Sequence, residues 1–302
     1  MTSPRATTDE LVVPYPDGSG GEGRIVAQVT RPETGPVRAV VLLWPALGVS
    51  ASYYAPLGEE LARQGYATVA ADLRGQGRSR PRCGRGTRHG YQDFAARDWP
   101  RLVRAVRLLF APGTPVHLLG HSIGGQASLL YVARPEADVD GLILVASGTV
   151  HHRSFPGARR AGVLLGTQLA AFLSVVLGYY PGHRLGFGGR QSGGVMRDWA
   201  RIGRTGRFEP TGADMDYEAA FATVRLPVLA VSVAGDTLAP PTAVDALCDR
   251  LVGCSVTRVH HTPATPSLHG HTRWARDGRG IAQHLTAWLR QVSSAHPGAG
   301  AG

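Results

Sequence analysis

Gly120-His121-Ser122-Ile123-Gly124 is the segment whose residue types and spacing point most directly to covalent chemistry. It follows the apolar run Val116 to Leu119 and precedes a stretch with helical pattern from Gly125 to Val132. A strand that turns this tightly into a helix strains its central residue, and only small flanking residues permit the turn. The Ser122 hydroxyl would then stand exposed at the end of a sheet, with helix N–H groups beneath it. The competing role for the same serine is that of a helix cap in a glycine turn.

A serine hydroxyl is a weak nucleophile, so it needs a base, and the base needs an orienting group. Where the serine comes first in the chain, the acid is expected after a later strand and the histidine after the last one. Asp236 lies just past the strand-like run 226–233 and is the expected orienting carboxylate; its other role would be to cap the turn before Pro240. Asp214 and Asp216 have no strand end to fix them, and Asp245 and Asp249 fall on a helical pattern. Four histidines cluster near the last strand. His260 and His261 come too early to curl back, which leaves His269 and His271. His271 is the expected base, because Gly270 before it lets the backbone bend toward the sheet edge. The oxyanion hole is expected to use the Ile123 N–H and one amide from the loop Trp44-Pro45-Ala46-Leu47-Gly48. Pro45 has no N–H to give, so Ala46 is the expected donor and Leu47 the next.

Positioning these residues requires strands and helices in alternation. The short apolar runs 38–44, 67–71, 116–119, 139–146, 226–233 and 255–260 read as strands. Between and after them, 53–64, 98–110, 125–132, 241–251 and 281–292 carry helical spacing. This alternation predicts an α/β fold, a mostly parallel central sheet with helices on both faces. The rhythm breaks between about 151 and 215, which reads as a mostly helical insertion. Its apolar stretch 161–180 is near membrane-spanning length. Its glycines, Thr167 and Gln168 weaken that reading, and a span there would split the core, so a lid helix is expected. The glycine-rich segment 187–194 reads as a flexible loop. The expected organisation is one domain, with its core at about 24–150 and 216–293, a loose lead-in with a short edge strand at 11–13, and a loose tail.

Composition excludes several classes. Of the 302 residues, 43% are apolar and 18% charged, so the chain can bury a core. All 32 cations are arginine, against 22 acids, giving a net charge of +10. Lysine and asparagine are absent, which fits a G/C-rich coding bias, and the arginines are spread from Arg5 to Arg290. A solubility role suffices for them; no nucleic-acid partner and no stable membrane insertion is expected. Cys83, Cys248 and Cys254 are an odd set without metal-ligand spacing. Free thiols and the lack of a signal-like N-terminal stretch suggest a cytoplasmic location.

Residues 48–79 resemble the N-terminal core of the α/β-hydrolase superfamily, and Gly120 to Gly125 resembles its nucleophile elbow. The segments 178–204, 226–241 and 269–276 are similar to one bacterial group of α/β-hydrolases whose function is largely unassigned. In that group the histidine follows a glycine near an aromatic-arginine pair, which implies His271 with Trp274 and Arg276. The resemblance covers about residues 24–292. Trp44-Pro45 stands where many members carry His-Gly, which leaves the oxyanion donor open. The resemblance implies a serine hydrolase using Ser122, His271 and Asp236 on an ester or thioester of a small to medium apolar acid. No metal or organic cofactor is implied, and the partner is a small-molecule acyl substrate. The alternatives are acyl transfer by the same residues, or a catalytically silent ligand-binding protein on the same fold.

Overall fold

The computed structural model describes residues 6–17 and 21–295. Its strands are β1 (Ala6–Pro16), β2 (Glu22–Pro32), β3 (Val40–Trp44), β4 (Ala67–Ala71), β5 (Val116–His121), β6 (Gly141–Val145), β7 (Tyr180–Pro181), β8 (Arg190–Gln191), β9 (Pro227–Val233) and β10 (Ser255–His261). Eight of them make one sheet in the order β1-β2-β4-β3-β5-β6-β9-β10. β1 and β2 run antiparallel to their neighbours, and every pairing from β4 to β10 is parallel. The helices are α1 (Ala55–Arg63), α2 (Tyr91–Asp93), α3 (Trp99–Leu109), α4 (Ile123–Val132), α5 (Arg159–Leu177), α6 (Gly182–Leu185), α7 (Gly193–Thr205), α8 (Tyr217–Ala220), α9 (Pro241–Cys248) and α10 (Arg279–Ala295).

The central strands read as continuous apolar runs because both of their faces are covered. In β3, Val40, Leu42 and Trp44 enter one core, together with residues of α3 and α4. Val41 and Leu43 enter the other, with Leu57 and Leu61 of α1 and Leu285 and Leu289 of α10. This two-sided burial fixes where the strands end, and the candidate site lies at those ends.

Two expectations need correction. The lead-in is not loose: β1 is an 11-residue edge strand, paired with β2 from Ala6 to Pro16. Its alternation puts Val13 and Tyr15 inside. Pro14 and Pro16 are tolerated because an edge strand has one unpaired side. Tyr15 fastens the hairpin, with the Arg74 guanidinium 3.8 Å over its ring and its hydroxyl donating to the Arg80 carbonyl at 3.0 Å. Arg74 is in turn paired with buried Asp98. The glycine-rich segment after Phe187 is also packed rather than free. A Cβ on Gly48 would lie 2.4 Å from the Gly188 carbonyl carbon, so the two chains touch backbone to backbone. Gln76 locks the contact, accepting from Gly48 N–H at 2.8 Å and donating to Gln191 at 3.0 Å. The expected tail beyond Ala295 lies outside the described residues.

The sheet also buries a histidine that the site does not use. His117 on β5 is 2% exposed and neither ring nitrogen has a hydrogen-bond partner. Loss of water pulls its pKa down to about 4 from an ordinary 6.5. In the unfolded chain the imidazole titrates near 6.5, so below that pH the unfolded state binds the extra proton. Stability is therefore lost as pH falls through 6.5 and levels off below about 4, at up to about 1.4 kcal/mol per pH unit for this one group. We expect His117→Phe, which keeps the ring against Trp288, to unfold in urea with a shallower loss of stability between pH 7 and pH 4.5. Identical pH slopes for parent and variant would contradict this.

Candidate active site

Ser122 sits between the end of β5 and the start of α4 with φ 56° and ψ −119°, a left-handed backbone that side chains rarely adopt. The flanking glycines make the turn sterically possible. A Cβ on Gly120 would fall 2.2 Å from Gly125 Cα, and one on Gly124 would fall 2.3 Å from the Trp44 carbonyl oxygen. The third glycine, Gly125, is pressed against Ser147. Ser147 Oγ donates to the Ser122 carbonyl at 2.8 Å, bracing the strained residue from the end of β6. The result is a half-buried hydroxyl at the sheet edge.

The imidazole and the carboxylate come from the loops after β10 and β9. His271 Nε2 lies 2.9 Å from Ser122 Oγ, and His271 Nδ1 lies 2.9 Å from Asp236 Oδ2. The other Asp236 oxygen accepts the backbone N–H groups of Leu238 and Ala239, both at 2.9 Å. The side chain of Asp236 is fully buried and that of His271 is 13% exposed. The carboxylate can only accept, so the proton of the neutral imidazole sits on Nδ1 and Nε2 is free to accept from the serine. Gly270 has φ 103° and its N–H donates to the Ala234 carbonyl at 2.9 Å, which turns the loop back over the sheet. His269 faces away, with Nε2 on the Pro263 carbonyl at 3.1 Å. His260 lies on Ser232 and His261 on His284.

The loop after β3 departs from expectation. The Ala46 N–H is already engaged, donating to the Tyr54 hydroxyl at 3.1 Å. Leu47 N–H and Ile123 N–H have no acceptor among the described residues, and both residues line the cavity around Ser122. The available pair of donors is thus Leu47 with Ile123, one residue beyond the expected Ala46.

Tyr54 leads to a network that residue spacing alone did not single out. Its hydroxyl lies 2.6 Å from Nδ1 of fully buried His121, and His121 Nε2 lies 2.8 Å from the His271 carbonyl oxygen. A carbonyl can only accept, so Nε2 carries the proton and Nδ1 accepts from Tyr54. Burial holds His121 well below its ordinary pKa, so it stays neutral. The Trp274 indole donates to the same His271 carbonyl at 3.0 Å. One directional chain of hydrogen bonds thus joins the loop after β3, the serine turn and the loop after β10. The only sequence signal for it was a histidine beside the serine, the second on a strand that is otherwise apolar apart from His117.

A cavity of about 1120 Å³ opens over Ser122 and His271. Its walls include Leu47, Ile123, Leu169, Leu173, Phe187 and Trp199, so α5 and the segments after it cover the serine with apolar surface.

Residues 35–183 match the family model described as serine aminopeptidase, S33. Over 106 residues the chain is 37% identical to a protein of Variovorax paradoxus (strain S110) provisionally named carbamate hydrolase RutD. That match covers 35% of this chain and 36% of the relative's length. Among solved structures, the fold is similar to a soluble variant of monoglyceride lipase from Saccharomyces cerevisiae, with TM-score 0.65, 16% identity, and coverage of 97% of this chain and 96% of that one. A thermophilic esterase from Thermogutta terrifontis aligns with TM-score 0.62 and 18% identity over 94% of this chain and 99% of that one. The thioesterase domain of the curacin biosynthetic pathway aligns with TM-score 0.55 and 17% identity over 93% and 99%. With a mostly parallel eight-stranded sheet and a strained serine turn after β5, the chain has the α/β-hydrolase fold.

Proposed function

We propose that this protein is a serine hydrolase that cleaves an ester or thioester of a small to medium apolar acid. The observation that carries the reading is the 2.9 Å approach of His271 Nε2 to Ser122 Oγ, with Asp236 behind the ring at the same distance. Ser122 Oγ attacks the substrate carbonyl carbon as its proton passes to His271 Nε2. Asp236 holds the ring orientation and stabilises the imidazolium. The negative oxygen accepts from Leu47 N–H and Ile123 N–H, each worth about 3–4 kcal/mol of barrier. Collapse of the intermediate expels the alcohol or thiol, which takes the proton from His271. Water then attacks the acyl-serine, giving a proton to His271 Nε2, and collapse of this second intermediate frees the acid as Ser122 Oγ takes that proton back. The apolar cavity supports an aliphatic or aromatic acyl group, and the esterase, thioesterase and lipase among the structural neighbours perform this class of reaction. In this reading residues 151–215 are a helical lid on one domain whose core is 24–150 and 216–293.

The test pairs a fluorophosphonate probe with a panel of acyl esters, thioesters and amides of graded chain length. The parent should be labelled and should turn over esters or thioesters. Ser122→Ala should lose labelling and at least about 10⁴-fold in kcat/KM. A Ser122→Ala variant that is labelled and active like the parent would refute the assignment.

In this mechanism His121 and Tyr54 act as positioning residues. His121→Phe keeps a ring against Trp274, 5.2 Å away in the parent, but removes both hydrogen bonds. We expect it to lower kcat about 10- to 100-fold with KM little changed, because reacting groups misplaced by a fraction of an ångström lose rate rather than affinity. Tyr54→Phe should show the same kcat-led loss. Parent-like kcat in both variants, with only thermal stability lowered, would show that the network is purely structural.

A further inference from the structure

The face of α5 that points away from the fold is apolar and uncovered. Thr167, Ala170 and Ser174 are buried, and Gly203 of α7 packs directly on Thr167. Gly162, Gly166 and Leu173 turn toward the cavity. The remaining face carries Leu165, Phe172 and Val176, exposed by 68%, 62% and 62%, with exposed Leu169 joining it to the cavity rim. These positions recur at three- and four-residue spacing and so form one stripe. Exposed Leu185 and Phe187 extend the apolar surface at the cavity mouth. A contiguous apolar surface of this kind marks an interaction site.

Charge identifies what it meets. From Gly141 to Arg197 the chain has no aspartate or glutamate, and it has six arginines. Arg153, Arg159 and Arg160 are exposed beside the first turn of α5, Arg184 is exposed on α6, and exposed Arg85 lies against Gly178 at the far end of α5. None of these five is paired with a carboxylate among the described residues. A second copy of the chain placed on this face would set arginines against arginines. A surface of anionic lipid headgroups satisfies both features, taking the apolar stripe into the acyl boundary and the guanidinium groups onto phosphates. The helix has the length and apolarity of a span, but its packing on α7 holds one side in protein, so it would lie in the plane of the surface rather than cross it.

We propose that the outer face of α5, framed by Arg85, Arg153, Arg160 and Arg184, docks on an anionic lipid surface and sets the mouth of the Ser122 cavity against the bilayer. Binding itself does not depend on the hydrolase reading. A lipophilic substrate entering from the membrane would, so the experiment reads binding without catalysis.

The full chain is floated with vesicles of phosphatidylglycerol and phosphatidylcholine, and with phosphatidylcholine alone, at about 0.1 M salt. The parent and Ser122→Ala should both float with the anionic vesicles and release as salt rises. Phe172→Ser with Val176→Ser should bind at least about tenfold less, since two buried apolar side chains are lost. Arg160→Gln with Arg184→Gln should lose about fivefold per arginine. Both double variants should keep the parent's circular dichroism spectrum, which shows that they are folded. The proposal is overturned if the parent stays unbound on anionic vesicles, or if the serine pair floats as well as the parent. It is also overturned if sedimentation shows a dimer that Phe172→Ser with Val176→Ser dissociates.

Discussion

The geometry of the site depends on one steric constraint, the backbone contact at the serine turn. β5 must end, reverse and begin α4 so tightly that three glycines meet other atoms where a Cβ would stand. Ser122 is forced to positive φ, a conformation that costs about 1–3 kcal/mol at a non-glycine residue. That cost is held by the two-sided burial of β5 and by Ser147, just past the end of β6. The strain lifts the hydroxyl out of the core and leaves the first amides of α4 unpaired beside it. A relaxed turn would return the side chain to the packing and close off the amides.

The second requirement is registry between three loops that come from distant parts of the chain. Ser122, Asp236 and His271 follow β5, β9 and β10, and the sheet alone does not fix their separation to a few tenths of an ångström. The His121 network does so from below. It ties Ala46, Tyr54 and the His271 backbone to the residue beside the nucleophile candidate. Its neutrality matters, because a charged His121 would have no acceptor left to take the Tyr54 proton. Asp236 is fixed in the same manner, with two backbone amides on one oxygen so that the other is free for the ring. Positioning here is accomplished by buried groups whose hydrogen bonds are all satisfied, the condition under which polar networks rigidify a site.

The strand and helix order was legible because parallel strands covered on both faces are apolar throughout, and few other structures look like that in sequence. The serine turn was legible because its glycines have a steric cause that leaves a five-residue signature. Which imidazole reaches Ser122 was legible from Gly270, a local feature. Which amide of the loop after β3 stays free was not, because it depends on where a tyrosine hydroxyl eight residues away comes to rest. The β1–β2 hairpin was misread for a similar reason: its alternation is masked by two prolines that only an edge strand tolerates, and what fastens it is Arg74, far off in the chain. The basic composition was read by counting arginines, which are dispersed. The informative pattern was the missing acids between Gly141 and Arg197, whose meaning emerges only once α5 is seen to leave its apolar face bare.

The account stands or falls on a covalent bond to one oxygen. The protein can be mixed with an activated ester of a medium-chain acid, quenched in acid within its first turnovers, digested and weighed peptide by peptide. The account predicts one acyl group, carried by the peptide containing Ser122 and decaying as free acid appears. Steady hydrolysis with no acyl group on that peptide, or with the acyl group on another residue, would contradict it.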